Sequence, residues 1–171
     1  MKLQTQIILL ITAIALLASC AEKKETGTWK HVDWESKAIQ LVYTDSLETG
    51  STYLSVYSEI YSLSQKTTHD LTVTVSIRNV SSTDSVFIEK AEYYNTAGDL
   101  IRSYLDETIL VKPMETIEIV VESKDRHGGS GANFIFDWAV RKNAHEPLFE
   151  AVMISTSGQQ GISFTTQGVR R

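Results

Sequence analysis

The chain has 171 residues with 16 basic and 21 acidic side chains, a net charge of −5, and a single cysteine. An acidic balance without a Lys/Arg cluster argues against nucleic acid or anionic lipid headgroups as partners. One cysteine excludes an internal disulfide, so a packed core has to supply the stability.

Lys2 provides the first positive charge, and an apolar run from Ile7 to Ala18 follows. That run falls short of the about 20 apolar residues a membrane span needs, and it suits the h-region of a secretory signal. Leu17-Ala18-Ser19-Cys20 resembles a lipobox, the bacterial motif whose cysteine is lipidated and becomes the new N-terminus. Residues 1–19 are expected to be a lipoprotein signal peptide, and Cys20 the lipidation site that makes the membrane a partner. One acyl chain holds only reversibly, each buried methylene adding about 0.8 kcal/mol, so lasting attachment takes several chains. Without Lys2, 15 basic residues face 21 acidic ones, a net charge of −6 for the mature chain.

Residues 20–35 read as a lipidated polar tether. Glu22-Lys23-Lys24-Glu25-Thr26-Gly27 is mixed in charge and has no apolar period. Ala21 stands where an Asp would hold a proteobacterial lipoprotein at the inner membrane. The outer membrane facing the periplasm, or the cell surface, is therefore the favoured location. Trp29 and Trp34 flank the end of the tether as an N-terminal strap. Residues 36–171 suit one domain, and a mature chain of this size buries roughly 70% of its unfolded surface.

The domain reads as strands. Leu71, Val73, Val75 and Ile77 alternate with Thr72, Thr74, Ser76 and Arg78, a period of two. Ile117, Ile119 and Val121 repeat it less perfectly, and Phe134, Phe136, Trp138 and Val140 form a third apolar face. One dry and one wet side per strand is the mark of antiparallel sheets. Ala151-Val152-Met153-Ile154 is apolar on both faces and suits a central strand. Tyr53, Tyr57 and Tyr61 have helical spacing, but the β-branched and aromatic content of Thr52–Tyr61 favours a strand. Turns fall at 79–85, at 95–99 with Gly98 free to take positive φ, at 112–115 and at 143–147. The pattern predicts an all-β fold, an immunoglobulin-like antiparallel β-sandwich of about eight or nine strands, without internal repeats.

Six further pieces carry a resemblance. They are Val56–Tyr61, Val75–Asn79, Glu92–Gly98, Gly128–Phe134 and Glu150–Ile154, and a sixth is Gly158–Thr165. Together they resemble the bacterial lipoprotein family catalogued as domain of unknown function 3124, over roughly residues 52 to 168. The resemblance implies location and domain extent; it implies no activity.

The loop Asp125-Arg126-His127-Gly128-Gly129-Ser130-Gly131, with Asn133 just beyond, is the leading candidate for a binding site. Its glycines can bring backbone N–H groups onto an anion or carbonyl oxygen, or simply shape a turn into the Phe134 strand. The turn is the commoner use. The loop lacks the Lys-Ser/Thr ending of a P-loop and leads into a strand, so no nucleotide or other cofactor is expected. Asp125, His127 and Ser130 are the residue types of a hydrolase triad, but neighbours in one short loop rarely reach triad geometry. His31, His69, His127 and His145 stand too far apart for a metal motif, so no metal is expected. A second glycine loop, around Gln159 and Gln160, offers paired amides. If the two loops share one end of the sandwich, that end is the expected site.

The expected function is a lipid-anchored, non-enzymatic binding or assembly module of the cell envelope. Its partner would be an envelope protein or a small molecule. The alternative is a small envelope hydrolase using the 125–131 loop.

Overall fold

The computed structural model describes residues 32–42, 47–156 and 161–171. The signal-like run, Cys20, Trp29, Gln159 and Gln160 lie outside the described residues. The strands in chain order are β1 (Leu47–Ser55), β2 (Glu59–Ser62), β3 (Ser64–Asp70), β4 (Thr72–Arg78), β5 (Val86–Tyr94) and β6 (Leu100–Ser103). There follow β7 (Ile109–Val111), β8 (Thr116–Val121), β9 (Asn133–Arg141), β10 (Leu148–Ser155), β11 (Ile162–Gln167) and β12 (Val169–Arg170). A larger sheet runs β12-β1-β9-β5-β6 with β7 also paired to β5, and a smaller one runs β11-β10-β4-β8. Strands β2 and β3 form a separate hairpin. All the pairings are antiparallel.

The alternation seen in the sequence becomes the core. Val73, Val75, Ile77, Ile117, Ile119, Val121, Phe134, Phe136 and Trp138 are all buried between the sheets. Each such side chain contributes about 1.5–3 kcal/mol when withdrawn from water. Rings tie the sheets together: Tyr93 stacks on Phe134 at 4.8 Å, Phe134 on Phe136 at 5.6 Å, and Phe136 on Phe149 of β10 at 4.4 Å. The chain is thus an all-β antiparallel sandwich, as the period of two requires.

The twelve described strands exceed the eight or nine expected, mainly because β2–β3, β6 and β12 are short or polar. Tyr53 lies on β1 and Tyr61 on β2, while Tyr57 falls in the break between them. Strand β10 is interior to its sheet, as expected, but of the run Ala151–Ile154 only Ala151 and Met153 face the core, beside Phe149. Val152 and Ile154 stay 39% and 43% exposed on the outer face.

One slip in register has wide effect. Val86 and Ile88 of β5 point inward opposite Val140 and Trp138, but the next inward residues are Ala91 and Tyr93. A bulge between Ile88 and Lys90 shifts the parity by one. Lys90, Glu92 and Tyr94 are thereby turned to the outer face instead of the core.

At the end of the sandwich opposite the 125–131 loop, the chain's first described residues are fastened down. Val32 and Trp34 pack against the core, Lys37 Nζ meets Glu115 Oε1 at 2.5 Å, and Ala38 bridges to Ile109. Asn79 secures the same end: its buried Nδ2 donates to the carbonyls of Asp84, Val111 and Lys112. The last strands stitch the two layers. Strand β11 belongs to the smaller sheet and β12 to the larger, and between them the Gly168 N–H donates to the Phe149 carbonyl at 2.8 Å.

Trp138 marks the tightest packing. Its Nε1 donates to Thr52 Oγ1 at 2.9 Å, and its ring lies across Gly50, where an added Cβ would stand 2.3 Å from the indole. Gly50→Ala should therefore lower stability in urea unfolding by about 1–3 kcal/mol, the usual cost of overpacking. An unchanged midpoint would contradict that contact.

Candidate functional site at the loop end of the sandwich

Strand register decides which loops meet. Ile154 lies opposite Thr72 and Val73 opposite Val121, so the ends of β10 and β8 and the start of β4 coincide. The segment after Val121 therefore leaves from the same end as the segment between Ser155 and Ile162. Asn133 opens β9 at that end, opposite both Ser55 and Tyr94. The two glycine-bearing connections thus depart from one end, although Gln159 and Gln160 themselves are not described.

The 125–131 loop is a fastening built on backbone groups. The Thr96 N–H and its Oγ1 both donate to the Gly128 carbonyl at 3.0 Å, and the Gly131 N–H donates to Thr96 Oγ1 at 2.9 Å. Ser58 donates twice to the Gly129 carbonyl, through N and Oγ, each at 3.1 Å. The Gly129 N–H donates to the Arg126 carbonyl. Four of the loop's amides, those of Asp125, His127, Gly129 and Gly131, are engaged inside the protein, and the loop joins the β5–β6 turn to the β1–β2 connection.

Close approach explains Gly128. A Cβ there would stand 2.0 Å from the Tyr93 hydroxyl and 2.9 Å from Ser58 Oγ. Gly129 has φ +72, the left-handed region that glycine enters cheaply. Beneath them the Tyr93 hydroxyl is buried and has no hydrogen-bond partner among the described residues. Burial pushes this phenol up to about 12, with Ser58 pulling the other way.

The charged members face outward. Asp125 Oδ1 meets His127 Nδ1 at 2.8 Å, and its Oδ2 accepts from Arg102 Nη2 at 3.0 Å. The His127 side chain is 77% exposed. Ser130 lies in the short 3-10 turn Gly129–Gly131, and no hydrogen bond joins it to His127 among the described residues. Arg126 Nη2 reaches Asp70 Oδ2 at 2.6 Å, pulling β3 to the loop. The other Asp70 oxygen, Oδ1, is buried and has no hydrogen-bond partner among the described residues.

Beside this pair lies a cleft of about 370 Å³, lined by hydroxyls of Thr68, Thr72, Ser123 and Thr156 together with His69 and Asp70. Its chemistry is polar: several hydroxyls that can donate and accept, one imidazole and one carboxylate. As members of this end, Thr96, Ser58 and Asp70 escaped the sequence reading. Their partners stand tens of residues away, and no spacing rule connects them.

Burial pushes the Asp125 carboxyl up, but the hydrogen bonds from His127 and Arg102 outweigh it and hold its pKa below the usual carboxylate range. A depressed folded pKa means that the unfolded state binds the proton first as pH falls. The stabilisation from Asp125 is then complete above its ordinary pKa and disappears as pH drops through the folded value. The difference in Tm between the parent and Asp125→Asn should accordingly be largest near neutrality and shrink in acid, below the ordinary carboxylate pKa of about 4. Thermal unfolding followed across that range checks it, and a gap that widens in acid would contradict the assignment.

No curated protein matches the chain. A crystal structure of Thermotoga maritima 1070 is similar at a TM-score of 0.45 and 7% identity, over 70% of this chain and 92% of that one. The family described as protein of unknown function (DUF3124) matches residues 49–170. With that match over most of its length, the chain belongs to the DUF3124 family.

Proposed function

We propose that this chain is a lipid-anchored, non-enzymatic binding or assembly module of the cell envelope, which offers the loop end of its sandwich to a partner away from the bilayer. The observation that carries the reading is the polarity of the domain. Lys37 and Ala38, just after the expected tether, are fixed to Glu115 and Ile109 at one end. The 125–131 loop, the Asp70–Arg126 pair and the hydroxyl-lined cleft lie at the other. Nine-residue strands separate the two ends by about 30 Å. An anchor on Cys20 would join the domain at the end away from the loops.

The hydrolase alternative has one observation in its favour, the Asp125–His127 contact. Against it, Arg102 shares Asp125, and among the described residues no hydrogen bond joins Ser130 to His127.

Two measurements test the proposal. In the native host, labelled palmitate should enter the protein and be lost in Cys20→Ser; an unlabelled wild type would overturn the anchor. A photo-crosslinking residue at His69 or at Arg126 should give one reproducible adduct, and the same residue at Thr83, at the opposite end, should give none. Equal adducts at both ends, or none at either, would overturn the loop-end reading. His127→Ala should leave the adduct intact; turnover of an envelope substrate that this variant loses would favour the hydrolase instead.

A further inference from the structure

The outer face of the larger sheet carries a groove of about 390 Å³, separate from the loop-end cleft. It lies over β1, β9 and β5, the three adjacent strands at the centre of that sheet. Tyr53 of β1 stands at one side, opposite Ile135, and Tyr94 of β5 at the other, opposite Asn133. With β9 between them, the two tyrosines are about 10 Å apart across the strands, two strand spacings.

Between the tyrosines the polar groups are already held in place. Asp137 accepts from Ser51 Oγ at 2.6 Å and pairs with Lys90 Nζ at 3.0 Å. The Tyr94 hydroxyl donates to Glu92 Oε2 at 2.5 Å, and Lys90 lies 3.9 Å from the same oxygen. Glu92 Oε1 accepts no hydrogen bond among the described residues. The Asn133 side chain brings an amide to the same groove. Side chains fixed on strands hold such geometry better than side chains on loops.

Three features narrow the ligand. First, Lys90 and Arg171 balance Glu92 and Asp137, so the groove has no net side-chain charge and no field to select an anion or a cation. Second, carboxylates and an amide beside two tyrosine faces match a molecule with many hydroxyls and an apolar C–H face. Third, the bulge after Ile88 is what turns Lys90, Glu92 and Tyr94 outward; an unbroken β5 would have sent them to the core. Bulges of this kind commonly re-aim side chains at sites.

We infer that this groove binds a neutral oligosaccharide, with Tyr53 and Tyr94 as stacking platforms and Glu92, Asn133 and Asp137 as hydrogen-bonding partners for sugar hydroxyls. The inference is independent of the lipid anchor and of the loop end. A disaccharide bridges the two rings, and the charged pair in the middle supplies both donor and acceptor. Burial of the Lys90–Asp137 contact is incomplete, so sugar hydroxyls can join it without displacing it.

The experiment is an NMR titration of the mature chain with four neutral probes: maltotriose, cellotriose, mannotriose and tri-N-acetylchitotriose. Inorganic phosphate and trigalacturonate serve as anionic controls. At least one neutral probe should shift the amides of Tyr53, Asn133, Ile135 and Asp137 with weak, saturable affinity, and the anions should not. Tyr53→Ala, at an exposed position, should keep its Tm and weaken that binding about tenfold, a typical loss for one aromatic contact. Asn133→Ala should weaken it as well. No saturable shift with any neutral probe would overturn the proposal, as would equal binding of the anions. Shifts confined to Thr72, Ser123 and Thr156 would overturn it too, by moving the sugar to the loop end. Shifts at the groove that depend on protein concentration alone would instead identify a second copy of the chain as its occupant.

Discussion

The row of rings from Tyr93 through Phe134 and Phe136 to Phe149 joins the two sheets, and the rest of the structure is arranged around it. Three of the four rings belong to the larger sheet and the fourth to β10 of the smaller one. Stacked and offset rings of this kind add about 0.5–1.5 kcal/mol per pair beyond the area they bury. The row also fixes what lies at its ends. Tyr93 carries its hydroxyl up to the loop end, where only a glycine at position 128 fits over it. The core therefore dictates part of the loop, and the loop's glycines answer first to packing.

Much of the fold was legible in the sequence because its strands obey one rule. On β4, β8 and β9 the apolar residues recur every second position, and the structure buries those residues. The turn at 95–99 was legible through Gly98, which takes φ +87. The hairpin β2–β3 was not, since Ser64–Asp70 is polar and faces water over most of its length. The bulge in β5 was hidden for a different reason. A single inserted residue leaves composition unchanged and shows only in which side chains change face.

The candidate site was legible in part. Unusual glycine content pointed to 128–131, and the register of β4, β8 and β10 brings both glycine-bearing connections to one end. The contacts that hold this end were out of reach: Thr96 with Gly128, Ser58 with Gly129, and Asp70 with Arg126. Each links segments far apart in sequence, and such pairs follow from the folded topology, not from local pattern. The sheet-face groove was equally hidden, because it draws on three strands whose order in space differs from their order along the chain.

The crossing at Gly168 has a kinetic consequence. Strand β11 completes the smaller sheet against β10, and β12, immediately after it, borders β1 in the larger. The larger sheet also pairs β1 with β9, from Leu47 opposite Arg141 to Ser55 opposite Asn133, far apart along the chain. Contacts so distant in sequence slow folding, since loop entropy is lost before they form. Neither layer is therefore complete until β11 and β12, which follow every other strand, have docked at their edges.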